Sequence, residues 1–257
     1  MLEKDEFDRA LEMTRKTDSF NTGVPSQMYF ELMEYALKHG DKEKCAELLD
    51  ETLEQQAAKE ERPADRLRNL RHCCAKIAVQ LNDPAKVNQV LSAAEKYRDA
   101  ALTEKDPRLH DKIAEECGKV YVLCDYAAVQ YAVGKTDDAK KTLADALRQA
   151  DKMVDAELSK EWLRQKSWAL CGGIARTQAE MGLIDDAFRT VASIVDKEVK
   201  TEGYYYICGV FILTKDFPNA RKALTIAKEC LKEINNSRIF GNIKSFEQRL
   251  EKAEKEQ

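Results

Sequence analysis

The sequence predicts an all-α protein, and three observations carry the prediction. The first is a shortage of chain breakers. Glycine and proline together make 15 of the 257 residues, about 6% where an average soluble protein has roughly 12%. A sandwich, barrel or many-stranded sheet needs more turn-forming residues than that. The second is an abundance of Ala, Leu, Lys, Glu and Gln, all good helix formers, in a chain that is 34% charged. The third is position. Each of the five prolines lies where a helix should begin, and none interrupts an apolar-periodic run.

Taken in order, the elements start with a helix near 3–17. Pro25 precedes Ser26, an N-cap candidate for a helix over 26–39. After His39-Gly40-Asp41 comes a second helix over 41–60. Pro63 opens a helix over 63–81, and Asp83-Pro84 reads as an N-cap with proline at the first helical position for 84–103. Asp106-Pro107 repeats that signal for 107–133, a long span in which Gly118 is a point of bending or division. Helices over 137–157, 160–181, 185–199, 202–214 and 218–234 follow, the last starting near Pro218. The chain ends on a helix over 237–255, where Ile239, Ile243, Phe246 and Leu250 fall on one side. Their spacings of four, three and four make a single apolar stripe, which suits a cap on the preceding helices, with dimerisation as the rival use.

Five short connections stand out: at Gly40, Asn82, Gly134, Gly182 and Lys215. Connections this short make the flanking helices antiparallel neighbours. Aligned on them, the chain repeats itself. Five residues on come the small residues Cys45, Ala139, Ala187 and Ala220, with Val87 a larger exception. Four further on come Leu49, Leu91, Leu143, Val191 and Leu224, and three beyond those the small residues Thr52, Ala94, Ala146 and Ala227, with Ile194 departing. Seven residues before the turn come Ala75, Ala127, Ala175 and Cys208, with Met33 departing. Small residues let two helices approach closely, and aliphatic ones fill the grooves between pairs.

At these positions the chain resembles the tetratricopeptide repeats. The fifth pair carries the resemblance best, with Tyr204, Ile207, Cys208 and Phe211 on its first helix and Phe217, Ala220, Leu224 and Ala227 on its second. The repeats are degenerate, spaced 42, 52, 48 and 33 residues apart from Cys45 to Ala220. The resemblance implies one domain over 1–257, a right-handed α-solenoid of about five helix hairpins (26–60, 63–103, 107–157, 160–199 and 202–234) closed by the helix 237–255. In such a solenoid the first helices line a concave face. By resemblance that face carries Phe30 and Glu34, then Asn69, His72 and Lys76, then Tyr121, Cys124 and Tyr131, then Arg176, then Tyr205. Its Tyr and Arg content suits contact with a peptide, and the alternative is that the tyrosines fill core gaps. Tyr204-Tyr205-Tyr206 spans three helix directions, so at least one of them should face outward. Arg164 and Lys166 point roughly 200° apart, so one at most faces the groove.

Other chemistries find little support. A net charge of −4 argues against a general nucleic-acid binder. No apolar run is long enough to span a membrane, and the opening residues Met1 to Glu6 are too polar for a secretory signal. Eight cysteines contain no C-x-x-C, and most sit among Ala, Val and Leu as small hydrophobes, which suits a reducing cytoplasm. The run His72-Cys73-Cys74 spreads over three helix directions, a poor metal site. Asp137-Asp138 and Asp185-Asp186 open helices, where acids meet the dipole favourably. No metal and no cofactor are expected.

Gly172-Gly173 is the anomaly. Two mid-helix glycines forfeit roughly 2 kcal/mol of helix propensity, so close packing or a ligand must offset them. The functional expectation is a non-catalytic scaffold that binds a protein or peptide segment on its concave face. The alternatives are a ligand-sensing regulator with a pocket near Gly172 and Gly173, and an all-α enzyme.

Overall fold

The computed structural model describes residues 4–16, 24–58, 62–103, 112–153, 160–234 and 236–256. Among these residues every regular element is helical and no strand occurs. The helices are α1 (Lys4–Lys16), α2 (Val24–Lys38), α3 (Lys42–Ala58), α4, α5 (Pro84–Thr103), α6 (Lys112–Ala132), α7 (Thr136–Lys152), α8, α9 (Ile184–Ala192), α10 (Lys197–Leu213), α11 (Phe217–Leu231) and α12 (Ser237–Lys255). Helix α4 runs as Pro63–Asn69 and Ala75–Leu81 joined by the π-helical segment Leu70–Cys74. Helix α8 runs as Lys160–Trp168 and Arg176–Glu180 joined by the π-helical segment Ala169–Ala175.

The five expected turns are all present. Each holds its key residue in the left-handed region: Gly40, Asn82, Gly134, Gly182 and Lys215 have φ between 56° and 83°. At four of them the amide one residue past the key residue reaches back to a carbonyl five residues earlier: Asp41 to Ala36, Lys135 to Gln130, Leu183 to Gln178 and Asp216 to Phe211, at 2.8–2.9 Å. This is the Schellman closure, which satisfies carbonyls left over at a helix end. The next helix starts in the same way all five times. The amides of Cys45, Val87, Ala139, Ala187 and Ala220 donate to the residue just after the turn. The residue five positions on, small at four of the five turns, is therefore the first to close an intrahelical bond. Cys45, Ala139, Ala187 and Ala220 are fully buried, as are Met33, Ala75, Ala127, Ala175 and Cys208 seven positions before the turns. The turns at Gly40, Asn82, Gly182 and Lys215 join helices packed directly against each other: α2 with α3, α4 with α5, α8 with α9 and α10 with α11.

Several boundaries differ from expectation. Helix α2 already includes Pro25 in its first turn, so Ser26 is not its N-cap. Helix α6 passes through Gly118 unbroken. The Asp106-Pro107 start lies outside the described residues, as does the end expected at 157. The helix expected over 185–199 stops at Ala192, and the next begins at Lys197 rather than 202. The cause is Asp196, whose carboxylate accepts a hydrogen bond from the Val199 amide at 3.0 Å and caps α10. The break leaves Ile194 fully buried.

The chain divides into two compact units. Unit 1 comprises 1–104 and 129–139, and unit 2 comprises 105–128 and 140–257. In unit 1 the core is built on Tyr29, Met33, Leu48, Leu49, Leu67, Leu70 and Ile77. A polar clamp holds its first three helices together. Arg15 donates to both carboxylate oxygens of Glu51, at 2.9 and 2.6 Å, while the buried Tyr29 hydroxyl donates to Glu51 at 2.6 Å and accepts from Gln55 at 2.8 Å. The Arg15 hydrogen bond, ahead of that from Tyr29, holds the Glu51 carboxyl below its usual range. In unit 2 one continuous core joins α8 to α12 around Cys171, Val191, Ile207, Phe211 and Leu224. Ile239, Ile243 and Leu250 of α12 are buried in it, so the predicted stripe does cap the chain's own preceding helices.

Candidate functional site

In unit 1 the structure brings together several of the residues expected on the binding face. The Lys76 ammonium pairs with Glu34 at 2.9 Å and stands 5.7 Å above the Phe30 ring, so α2 and α4 present these three side chains on one surface. His72 is exposed one turn earlier in the π segment of α4, and Asn69, just before that segment, is half-buried. Tyr131, in the last turn of α6, is also exposed.

In unit 2 the expected face divides. Arg176 is exposed and pairs with Glu180, one turn on along the same helix, at 3.0 Å. Arg164 is exposed 4.0 Å from Glu198, while Lys166 is largely covered and lies 3.9 Å from Asp151. Tyr121 is not an open-face residue. Its hydroxyl donates to the Trp168 carbonyl at 3.0 Å, directly before the π segment of α8. Its ring fills the volume left by the paired glycines. A Cβ at Gly173 would stand 3.3 Å from Tyr121 Cδ1 and 3.4 Å from Cys124 Sγ, and one at Gly172 would stand 3.4 Å from the Tyr121 hydroxyl. Packing thus accounts for Gly172-Gly173, and the space expected for a ligand there holds a tyrosine. Burial pushes the Tyr121 phenol above its ordinary value.

Tyr205 is the second correction. It is buried because α12 lies over it: the Asn242 amide donates to its hydroxyl at 3.2 Å, and the Phe246 ring stacks on it at 5.4 Å. The sequence foresaw both a groove residue at 205 and a capping helix, but only three-dimensional packing puts one on top of the other. Of the tyrosine triplet, Tyr204 and Tyr205 are buried and Tyr206 is exposed, as the three helix directions require.

Sequence reasoning missed Glu202. This carboxylate is 2% exposed, and its Oε1 accepts from the Arg238 guanidinium of α12 at 2.6 Å. Its Oε2 is buried with no hydrogen-bond partner among the described residues. Burial raises its pKa, opposed by the Arg238 charge. No one-dimensional signal marks it, because an acid in the second turn of a helix usually faces solvent.

Thiol chemistry is disfavoured. All eight cysteines are free, and all but Cys230 are buried. Desolvation pushes Cys45 and Cys73 up to about 11 and Cys208 to about 12, so these three are not ready nucleophiles. His72 points outward while Cys73 and Cys74 point inward. Among the described residues no three His, Cys, Asp or Glu side chains are grouped to hold a metal, and no helix is long and apolar enough to cross a membrane. Asp137, Asp138, Asp185 and Asp186 lie in the first turns of α7 and α9. A shallow groove of about 500 Å³ runs between α7 and α9, lined by Lys140, Leu143, Leu147, Gln178, Asp186 and Arg189 among others.

No protein-family model matches the chain, and no curated protein matches it in sequence. One similar solved structure is the crystal structure of BtubC (BKLC) from P. vanneervenii, at 14% identity, with 89% of each chain covered and a TM-score of 0.39. A likeness at that level carries no argument about this protein.

Proposed function

We propose that the chain is a non-catalytic scaffold of the tetratricopeptide-like kind, acting in the cytoplasm, which holds a protein or peptide segment on the helix face of α2 and α4. The observation that carries this reading is a left-handed turn that recurs five times and closes in the same way at four of them, with buried residues seven positions before every one. Repeated helix pairs of this design stack their small residues inward and leave the first helices free to present side chains. Phe30, Glu34, His72 and Lys76 are the side chains so presented in unit 1. An aromatic ring beside a charge pair supplies contact area and hydrogen bonds together, as hot spots do. A homodimer built on the apolar stripe of α12 has little left to use, since Ile239, Ile243 and Leu250 are buried within the chain.

The test is affinity capture with the purified chain, with the captured proteins identified by mass spectrometry and their binding then measured directly. The double substitution Lys76→Glu with Phe30→Ala should weaken a genuine partner at least tenfold, and Gly241→Ala in α12 should not. Equal binding by all three proteins would remove the α2–α4 face from consideration.

A further inference from the structure

The carboxamide of Gln178 is held at one end and unused at the other. Gln178, in the last turn of α8, is 4% exposed, and it lines the groove between α7 and α9. Its Oε1 accepts from the Thr190 hydroxyl at 2.8 Å, a bond that fixes the carboxamide in place. Its Nε2 donates to no described residue and is not sealed off from solvent. Buried polar groups are almost always hydrogen-bonded. A fixed, unused N–H donor at the floor of a groove therefore calls for an acceptor from outside.

The walls say what should carry that acceptor. Leu143 and Leu147 of α7 and Leu183, just before α9, line the groove, and Leu147 and Leu183 are only half-buried. The charged side chains of the lining are Lys140, Asp186 and Arg189. Asp186 and Arg189 pair with each other. Lys140, one turn before Leu143, is exposed and has no ion-pair partner among the described residues. The neighbouring acids Asp137, Asp138 and Asp185 stand outside the lining. The groove thus offers leucines on its walls, a donor at its floor and one unmatched positive charge at its rim. All of these residues belong to unit 2.

We infer that this groove takes an extended, leucine-bearing acidic segment from within a partner protein. Leucine side chains of the segment cover Leu147 and Leu183, a main-chain carbonyl accepts from Gln178 Nε2, and a carboxylate side chain meets Lys140. A volume of about 500 Å³ holds a few side chains, which suits a short segment. None of these residues belongs to the α2–α4 face, so the inference goes beyond the surface proposed above and stands or falls separately from it.

The probe is the capped peptide acetyl-Glu-Leu-Leu-Glu-amide, titrated against the full isotope-labelled chain while the Gln178 side-chain amide and Leu147 methyl signals are followed by NMR. Saturable shifts of both are expected. Binding should be at least threefold weaker for acetyl-Gln-Leu-Leu-Gln-amide and for acetyl-Glu-Ala-Ala-Glu-amide. Lys140→Glu should weaken it at least threefold, and Gln178→Met, which removes the donor at similar volume, at least fivefold. Lys244→Glu in α12 makes the same change in net charge outside the lining and should leave binding unchanged, as should Lys76→Glu with Phe30→Ala. If Gln178→Met loses its helical circular dichroism, Lys140→Glu set against Lys244→Glu decides the case. No saturable shift, equal binding of the glutamine peptide, or equal loss in the two lysine variants overturns the inference. So does equally tight binding of hexanoate, which would make the groove a site for small carboxylates. Loss of binding in Lys76→Glu with Phe30→Ala but not in Lys140→Glu would put the peptide on the α2–α4 face and sink this groove alone.

Discussion

Two helical glycines should respond to alanine in opposite directions. Gly203 lies inside α10 and Gly241 inside α12. By helix propensity alone, each Gly→Ala change stabilises by about 1 kcal/mol. At Gly241 nothing lies within 4 Å of the added carbon, so that gain should appear in full. At Gly203 the new Cβ would stand 2.9 and 3.2 Å from the two methyls of Val191 and 3.6 Å from Cys171 Cβ. Val191 is fully buried in the unit 2 core and has nowhere to retreat. Overpacking of this kind costs about 1–3 kcal/mol, so Gly203→Ala should destabilise by about 1 kcal/mol net. Both tryptophans, Trp162 and Trp168, belong to unit 2, so urea unfolding followed by tryptophan fluorescence reports on the unit concerned. Val191→Ala removes the clashing methyls. In that background Gly203→Ala should change from harmful to neutral or better, a coupling of at least about 1 kcal/mol. If Gly203→Ala stabilises the protein, or the two changes add within about 0.5 kcal/mol, the close approach of α9 and α10 is wrong.

Three further outcomes follow from the same geometry. Lys215 is the one left-handed turn residue that is neither Gly nor Asn; Lys215→Gly should stabilise by about 1 kcal/mol, while Gly182→Ala should destabilise by a similar amount, both read as urea midpoints. The two perturbed acids should give opposite pH signatures. The raised pKa of Glu202 means a stability contribution that is complete below its unfolded value near 4.5 and is lost as pH rises through the folded value, so Glu202→Gln should flatten that loss in the tryptophan-detected transition. The lowered pKa of Glu51 works the other way: its contribution is present above 4.5 and lost as pH falls, so Glu51→Gln should weaken unit 1 at pH 7 and much less in acid, measured by amide exchange in α2 and α3. In the native protein a thiol reagent should modify Cys230 first, and the buried cysteines only at the rate of local opening.

Much of the fold was legible in one dimension. The turns at Gly40, Gly134 and Gly182 are readable because glycine meets a left-handed helix end at no steric cost. The small residues five positions later are readable because helix pairs need them wherever they approach. The Asp196 cap was less visible, since apolar periodicity continues through Ile194 and hides the break. The candidate site was read less well. Lys76, Phe30 and Glu34 do meet, because turn-aligned registers place them at matching heights on α2 and α4. Tyr121 and Tyr205 were assigned to an open face by the same register, and both are covered by elements distant in sequence.

By itself the sequence determined the helical class, the five turns and the small residues buried beside them. These are local matters, set by caps, left-handed turn residues and a 3.6-residue period. Only the tertiary structure decided what lies across from each face. The π segment of α8 and the ring of Tyr121 together explain Gly172-Gly173, and no pattern within either helix contains that pairing. Burial of Glu202 beneath Arg238 likewise depends on how α12 crosses α10. Such contacts join residues dozens of positions apart, and their energies come from shape and desolvation that a linear sequence does not display.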